Sequence, residues 1–72
     1  MPAHEKIRQR RRALGLTLQE LSTLLRPYLP GLSKGDLSYI ENGKRNVLAD
    51  EIPIFARVLQ CRPEDLLDSS PE

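Results

Sequence analysis

Glycine and proline punctuate this chain at short intervals, which limits any helix between them to a few turns. Gly15 and Gly43 stand where a left-handed residue commonly ends a helix. Pro27 ends another, because the residue before a proline disfavours the α conformation. Between these stops, apolar residues recur three and four positions apart, the spacing of one helix face. The pattern predicts an all-α fold of five short helices.

A chain of 72 residues is near the lower size limit at which a hydrophobic core alone supports a fold. We therefore expect tight helix packing or dimerisation to supply part of the stability. The single cysteine, Cys61, has no partner for an internal disulfide, and no Cys/His cluster indicates a metal site. We expect neither a metal nor another cofactor. There is no apolar run of about 18 residues and no signal-peptide pattern, so a cytoplasmic protein is expected.

The net charge of +1 conceals a segregation of charge along the chain. Residues 1–45 contain nine Lys and Arg against four Asp and Glu, a net charge of +5. Residues 46–72 contain two Lys and Arg against six Asp and Glu, a net charge of −4. A basic front half indicates a polyanionic partner on one face, although basic residues that only solvate a helix would give the same count.

The first two helices are predicted from their composition and their caps. The first covers about Ala3 to Leu14, a stretch rich in residues that favour helix. Thr17 followed by Glu20 matches a capping box, which starts the second helix, and Pro27 stops it. The predicted buried stripe of this second helix comprises Leu18, Leu21, Leu24 and Leu25.

The third helix is predicted over Lys34 to Asn42. Ser33, with Asp36 three residues later, resembles a second N-cap, where the helix dipole also favours the carboxylate. Leu37 and Ile40 lie three apart and are predicted to point inward. The outer face is then left to Lys34, Ser38 and Tyr39.

The fourth helix is predicted over Asp50 to Leu59, with Asp50 as its cap, and the fifth begins at Pro63. Leu66 and Leu67 are predicted to close the fifth helix onto the core. Residues 68–72 are too polar and too few to pack, so they are predicted to fray. The predicted buried stripe of the fourth helix comprises Ile52, Phe55, Ala56 and Leu59.

The order of three stretches resembles the phage-repressor type of helix-turn-helix, the family often called XRE. These stretches are LGLTLQEL, SYIENGKR and FARVLQCRPEDLL, of which IENGKR is the most specific part. The similarity covers about residues 5–67. It implies a single compact, lambda-repressor-like domain over residues 1–67, with five helices, of which the third enters the major groove of double-stranded DNA.

The resemblance also implies roles for individual residues. In this family the outer face of the third helix meets base edges, and the start of the second helix and the segment after the third meet phosphates. Arg11 and Glu41 match a partly buried salt bridge of several members. The base-reading positions are Lys34, Gly35, Ser38 and Tyr39, and the DNA-backbone positions are Thr17, Asn42, Lys44 and Arg45. The charge pattern adds Arg8 and Arg12, on the solvent face of the first helix, to the expected phosphate contacts.

The sequence departs from the family pattern at two points. The turn between the second and third helices, RPYLPGL over Arg26–Leu32, is several residues longer than usual. It either changes the angle of the third helix or itself reaches the DNA. Leu18 stands where members often have Gln, and a leucine side chain cannot hydrogen-bond a phosphate.

The expected function is sequence-specific regulation of transcription, as a repressor that binds a palindromic operator as a homodimer. The alternative is a protein-interaction module, such as the antitoxin of a toxin–antitoxin pair. An enzyme is not expected, because His4, Cys61 and the carboxylates lack the spacing of catalytic or metal-binding groups. The dimer surface is expected on the acidic back half, especially from the fourth to the fifth helix, with Leu66 and Leu67.

Overall fold

The computed structural model describes residues 2–67, and within this range all regular secondary structure is helical. The predicted all-α fold is therefore confirmed, while the predicted fraying of residues 68–72 lies outside the described residues. The helices are α1 (Ala3–Ala13), α2 (Leu18–Leu25), α3 (Lys34–Glu41), α4 (Ile52–Val58) and α5 (Pro63–Leu66).

Two reciprocal capping boxes fix the starts of α2 and α3. At α2, the hydroxyl of Thr17 accepts the amide of Glu20 at 3.0 Å, and the Glu20 carboxylate accepts the amide of Thr17 at 2.8 Å. At α3, Ser33 and Asp36 repeat the arrangement at 3.2 and 3.0 Å. Each box satisfies amides that a helix start leaves without partners. The predicted starts of both helices are confirmed.

The core lies between the five helices, and Phe55 on α4 is its largest fully buried side chain. The helices contribute apolar side chains of which almost nothing is exposed, as the helical spacing predicts. The largest fully buried members are Phe55, Ile7, Leu21, Leu25, Leu37, Ile40, Leu59 and Leu66.

The predicted burial of two leucines is wrong. Leu24 is 46% exposed, because Leu21 and Leu25 take the inward face of α2. Leu67 is 50% exposed, because α5 ends at Leu66 and the next residue is in extended conformation. Leu66 takes the buried position and is only 1% exposed, so it cannot form part of a dimer surface as expected.

The predicted start of α4 at Asp50 is also wrong. The helix begins at Ile52, after Glu51 as N-cap, and no side chain caps it. The Glu51 carboxylate instead accepts the amide of Leu48 at 2.9 Å. The Glu51 carboxylate therefore satisfies the turn before α4, and the capping role predicted for Asp50 is filled by no side chain.

The long turn between α2 and α3 is an ordered segment. Its backbone continues from α2 with amides of Tyr28 and Leu29 that donate to the carbonyl of Leu25, at 2.9 and 2.7 Å. The buried hydroxyl of Ser22 donates to the carbonyl of Leu32 at 3.1 Å. Leu29 packs against the core, whereas the ring of Tyr28 is 47% exposed.

Basic side chains of α1 hold the carboxyl ends of three other helices. The carbonyl of Glu41, at the end of α3, accepts Arg8 at 2.9 Å, and that of Leu59, after α4, accepts Arg10 at 3.0 Å. Lys6 donates to the carbonyl of Leu67, after α5. Cations are favoured at helix carboxyl ends, where carbonyls lack partners. Much of the basic character of α1 is therefore structural.

No helix within residues 2–67 has the length and apolar character needed to cross a membrane.

Candidate nucleic-acid interface

One face of α3 is buried and the opposite face is open to solvent. Leu37 and Ile40 are fully buried, and Glu41 is 3% exposed. Their burial fixes the rotation of α3, so the remaining positions point away from the core. The outward side chains are those predicted to read bases: Lys34 and Tyr39 are exposed, Gly35 is exposed, and Ser38 is half-buried.

The fold does not require a glycine at position 35. A Cβ added there would meet only the hydroxyl of Ser33, at 3.7 Å, which is an ordinary contact. Gly35 is nevertheless less favourable in a helix than Ala by about 1 kcal/mol. Because Gly35 has no side chain, the first turn of α3 is open to solvent beside Lys34.

Asp36 belongs to the helix cap. Its carboxylate accepts both the amide and the hydroxyl of Ser33, at 3.0 and 3.1 Å. These hydrogen bonds, the backbone one foremost, lower the pKa of Asp36 below its ordinary value. The carboxylate is thus held as an anion at the amino end of α3, where the helix dipole favours it.

A buried ion pair joins α1 to the end of α3. Arg11 donates from Nε and Nη2 to the two carboxylate oxygens of Glu41, at 2.7 and 2.9 Å. The hydrogen bond that Arg11 donates to Glu41 raises the pKa of Arg11, against the opposing effect of burial. Nη1 of Arg11 also donates to the carbonyl of Leu16 at 2.7 Å, which places the start of α2 beside the same pair. The base-facing helix is therefore fixed to the scaffold at its carboxyl end.

Arg8 and Asn42, both predicted to contact DNA backbone, are bonded to each other. Nη2 of Arg8 donates to the side-chain oxygen of Asn42 at 2.9 Å and to the carbonyl of Glu41. The amide group of Asn42 donates to the carbonyl of Ser38 at 2.9 Å. Both side chains thus hold the exit of α3, and the DNA-facing capacity of Arg8 is limited to its remaining donors.

Arg45 turns toward the loop before α4. Its Nη2 donates to the Glu51 carboxylate at 3.2 Å, and its Nη1 is buried without a partner in residues 2–67. Sequence reasoning missed Glu51 as the residue that orients Arg45. The available signal was its position three residues after Leu48, whose amide it accepts as in a capping box.

Three of the predicted DNA-backbone positions retain donors at the surface. Arg12 and Lys44 are exposed, and their side chains make no hydrogen bond or ion pair within the described part of the chain. The Thr17 hydroxyl accepts the Glu20 amide and still has its own hydrogen to donate. The amide of Thr17 itself is already bonded to the Glu20 carboxylate.

Cys61 lies half-buried against the core, and desolvation raises the pKa of its thiol. A raised thiol pKa keeps the side chain protonated and weakly nucleophilic at neutral pH. Among residues 2–67 there is no group of three His, Cys, Asp or Glu side chains that could hold a metal ion.

Two short capped helices, α2 and α3, follow each other across an ordered turn, and α3 presents a lysine, a glycine and two hydroxyl side chains on its outer face. This arrangement is that of a helix-turn-helix domain. A sequence family described as a helix-turn-helix domain matches residues 5–69, and the chain belongs to it. Comparisons with curated proteins and with solved structures gave no match. Membership in this family indicates DNA as the ligand.

Proposed function

We propose that the protein is a sequence-specific transcriptional regulator of the repressor type, which places α3 in the major groove of its operator. The main support is the outward face of α3, where a lysine in the first turn lies beside an exposed glycine. A lysine ammonium matches the two acceptors of guanine, O6 and N7, in the major groove. Ser38 and Tyr39 add a hydroxyl donor each, and the tyrosine ring can pack on a thymine methyl group.

The proposal includes a homodimer on a palindromic operator. A DNA-binding module of this size buries about 600–1,000 Å² of its own surface on DNA, which is little for tight and specific binding. Two copies related by a two-fold axis would read half-sites about one helical turn apart. Leu67, on the acidic back half, is half-exposed and stays in the expected dimer surface. A cytoplasmic location belongs to the same proposal.

The direct test is selection of bound duplexes from a random DNA pool with the full chain. A palindromic consensus, with half-sites about 10 base pairs apart, is the expected result. A consensus without two-fold symmetry would contradict the dimer and leave sequence-specific binding in place. No enrichment at low salt would contradict the proposal and favour the interaction module, such as an antitoxin, as the function.

Substitution of Lys34 tests which residue reads bases. Lys34→Ala is expected to weaken binding to the selected duplex by about 1–3 kcal/mol and to relax the preference at one base pair. The matched variant is Lys44→Ala, an exposed lysine after α3, which should weaken binding to all sequences alike. Binding constants on a set of single-base operator variants measure both effects. Equal loss on every duplex for Lys34→Ala would show a phosphate contact instead.

A further inference from the structure

The imidazole of His4 packs on the backbone at the exit of α3. Gly43 has a φ of 75°, and a Cβ there would lie 3.1 Å from Cε1 and 3.2 Å from Nε2 of His4. Any side chain at position 43 would be strained by this φ and would also displace the ring. Gly43 therefore ends α3 and provides the space in which His4 lies. The first turn of α1 is in this way brought against the recognition helix.

An open depression of about 430 Å³ lies between the start of α1 and the segment after α3. His4 and Gly43 line it together with Arg45 and Asn46, and no acidic side chain among the described residues does so. Arg45 has one nitrogen, Nη1, buried without a partner in that part of the chain. The polar groups of the lining are therefore the His4 imidazole, the Asn46 amide and Arg45, whose Nη2 is already bonded to Glu51. The remaining lining residues are Pro2, Ala3 and Val47. Donors of this kind suit an anion.

The depression adjoins the proposed DNA-binding surface. Lys44 lies between Gly43 and Arg45 in the same segment, and Arg8 follows His4 by one turn of α1. Arg8 in turn contacts the side chain of Asn42. A DNA strand that passes the carboxyl end of α3 would meet this depression next to Lys44.

We infer that the depression binds one phosphate of the DNA backbone and that protonated His4 is a donor to it. This inference rests on the proposed function, because it needs α3 in the major groove. It adds to the interface a residue that neither the family resemblance nor the charge pattern of the sequence selected. A protonated imidazole carries a positive charge and a neutral one does not, so this phosphate contact is expected to strengthen as the pH falls.

The charges around His4 favour this coupling. Arg8 lies on α1, where the exposed Glu5 directly follows His4. Lys44 and Arg45 lie on the segment after α3, and Arg45 is paired with Glu51 at 3.2 Å. The carboxylate at the end of α3 is that of Glu41, which is paired with Arg11 and with Arg8, the latter at 3.7 Å. A phosphate that enters this cationic surrounding makes protonation of His4 more favourable. By linkage, protonation then strengthens phosphate binding by the same factor.

The test compares the salt dependence of binding at about pH 5.5 and pH 8, on the duplex selected from the random pool. For the unaltered protein, the slope of log K against log salt should be steeper by about 0.9 at the lower pH, the contribution of one phosphate. Between about 50 and 200 mM salt this corresponds to an additional loss of about threefold in affinity at that pH. His4 is the only histidine in the chain, so no other imidazole contributes.

Two substitutions separate charge from packing. His4→Gln keeps a polar side chain without charge and should show the same slope at both pH values. His4→Arg carries a permanent charge and should show the steeper slope at both. A merely structural role would lower the melting temperature of His4→Gln and leave the pH difference in slope unchanged. That outcome would overturn the inference.

The outcome also distinguishes this inference from the proposed function. Selective binding of the unaltered protein with a slope that does not change with pH contradicts only the role of His4. Failure to bind any duplex selectively at either pH contradicts the proposed function, on which the inference depends.

Discussion

Glu41 connects two helices through two chemically different groups. Its carboxylate accepts two hydrogen bonds from Arg11, and its backbone carbonyl accepts one from Arg8. The carboxylate is only 4% exposed and Arg11 is 11% exposed, so both charges are largely removed from water. A buried pair of this kind adds little net stability over an apolar pair of the same size. Removal of one partner is costly, because the other charge then stays buried alone.

Glu41→Ala should therefore destabilise the fold by about 3–5 kcal/mol, and the melting temperature should fall by more than about 10 °C. Thermal unfolding followed by circular dichroism measures the effect. The matched control is Glu64→Ala, which removes an exposed carboxylate 3.9 Å from Arg62 and should change stability by less than about 0.5 kcal/mol. Equal melting temperatures for the two variants would show that the Arg11 pair is not needed for the fold.

The sequence allowed us to predict which helix face a residue occupies, but not which partner its side chain contacts. The outward positions Lys34 and Tyr39 follow from the inward positions Leu37 and Ile40, because helical spacing fixes all four. The sequence placed Arg8 on a solvent face, yet its guanidinium reaches the carbonyl of Glu41, 33 positions away. A long, flexible side chain finds its partner only when the tertiary structure is known.

At the scale of elements, α2, α3 and the turn between them form one connected unit. The turn continues from α2 through amides that donate to Leu25, and it is held at its far end where Ser22 donates to Leu32. Leu29 closes the turn onto the core. An ordered turn of this kind gives α3 a fixed position relative to α2, so the extra residues do not act as a loose linker.

Ser22→Ala tests this connection. Loss of the hydroxyl leaves the buried carbonyl of Leu32 without its side-chain donor, which should destabilise the protein by about 1–3 kcal/mol. The control is Thr23→Ser on the neighbouring exposed residue, which keeps a hydroxyl able to bond the carbonyl of Gln19 and should have a small effect. Urea unfolding of both variants gives the comparison. If Ser22→Ala unfolds at the same urea concentration as the unaltered protein, the turn is not held at this point.

Elements with local signals could be predicted closely, and those without them could not. The starts of α2 and α3 depend on capping boxes four residues long, which can be identified in the sequence. The start of α4 depends on Glu51, whose carboxylate bonds both the amide of Leu48 and the guanidinium of Arg45. The Arg45 contact requires the loop to fold back, and no local pattern of residues indicates it.

At the scale of the whole molecule, the basic front half separates into two groups when the chain folds. Arg10 and Arg11 are directed inward, where they hold the end of α4 and the Glu41 carboxylate. Arg12, Lys34 and Lys44 remain exposed without side-chain partners in residues 2–67. The charge asymmetry of the sequence therefore overstates the charge available to a polyanion, because part of it stabilises the scaffold.

Arg12→Ala should reduce the slope of log K against log salt on the selected duplex by about 0.9, since one phosphate contact is lost. It should leave the melting temperature nearly unchanged, because the exposed Arg12 side chain has no partner within the described residues. The matched control is Arg62→Ala, an exposed arginine before α5, which is expected to leave the slope unaltered. Binding titrations between about 50 and 200 mM salt measure both variants. Equal slopes for Arg12→Ala and Arg62→Ala would place the DNA backbone away from this part of α1.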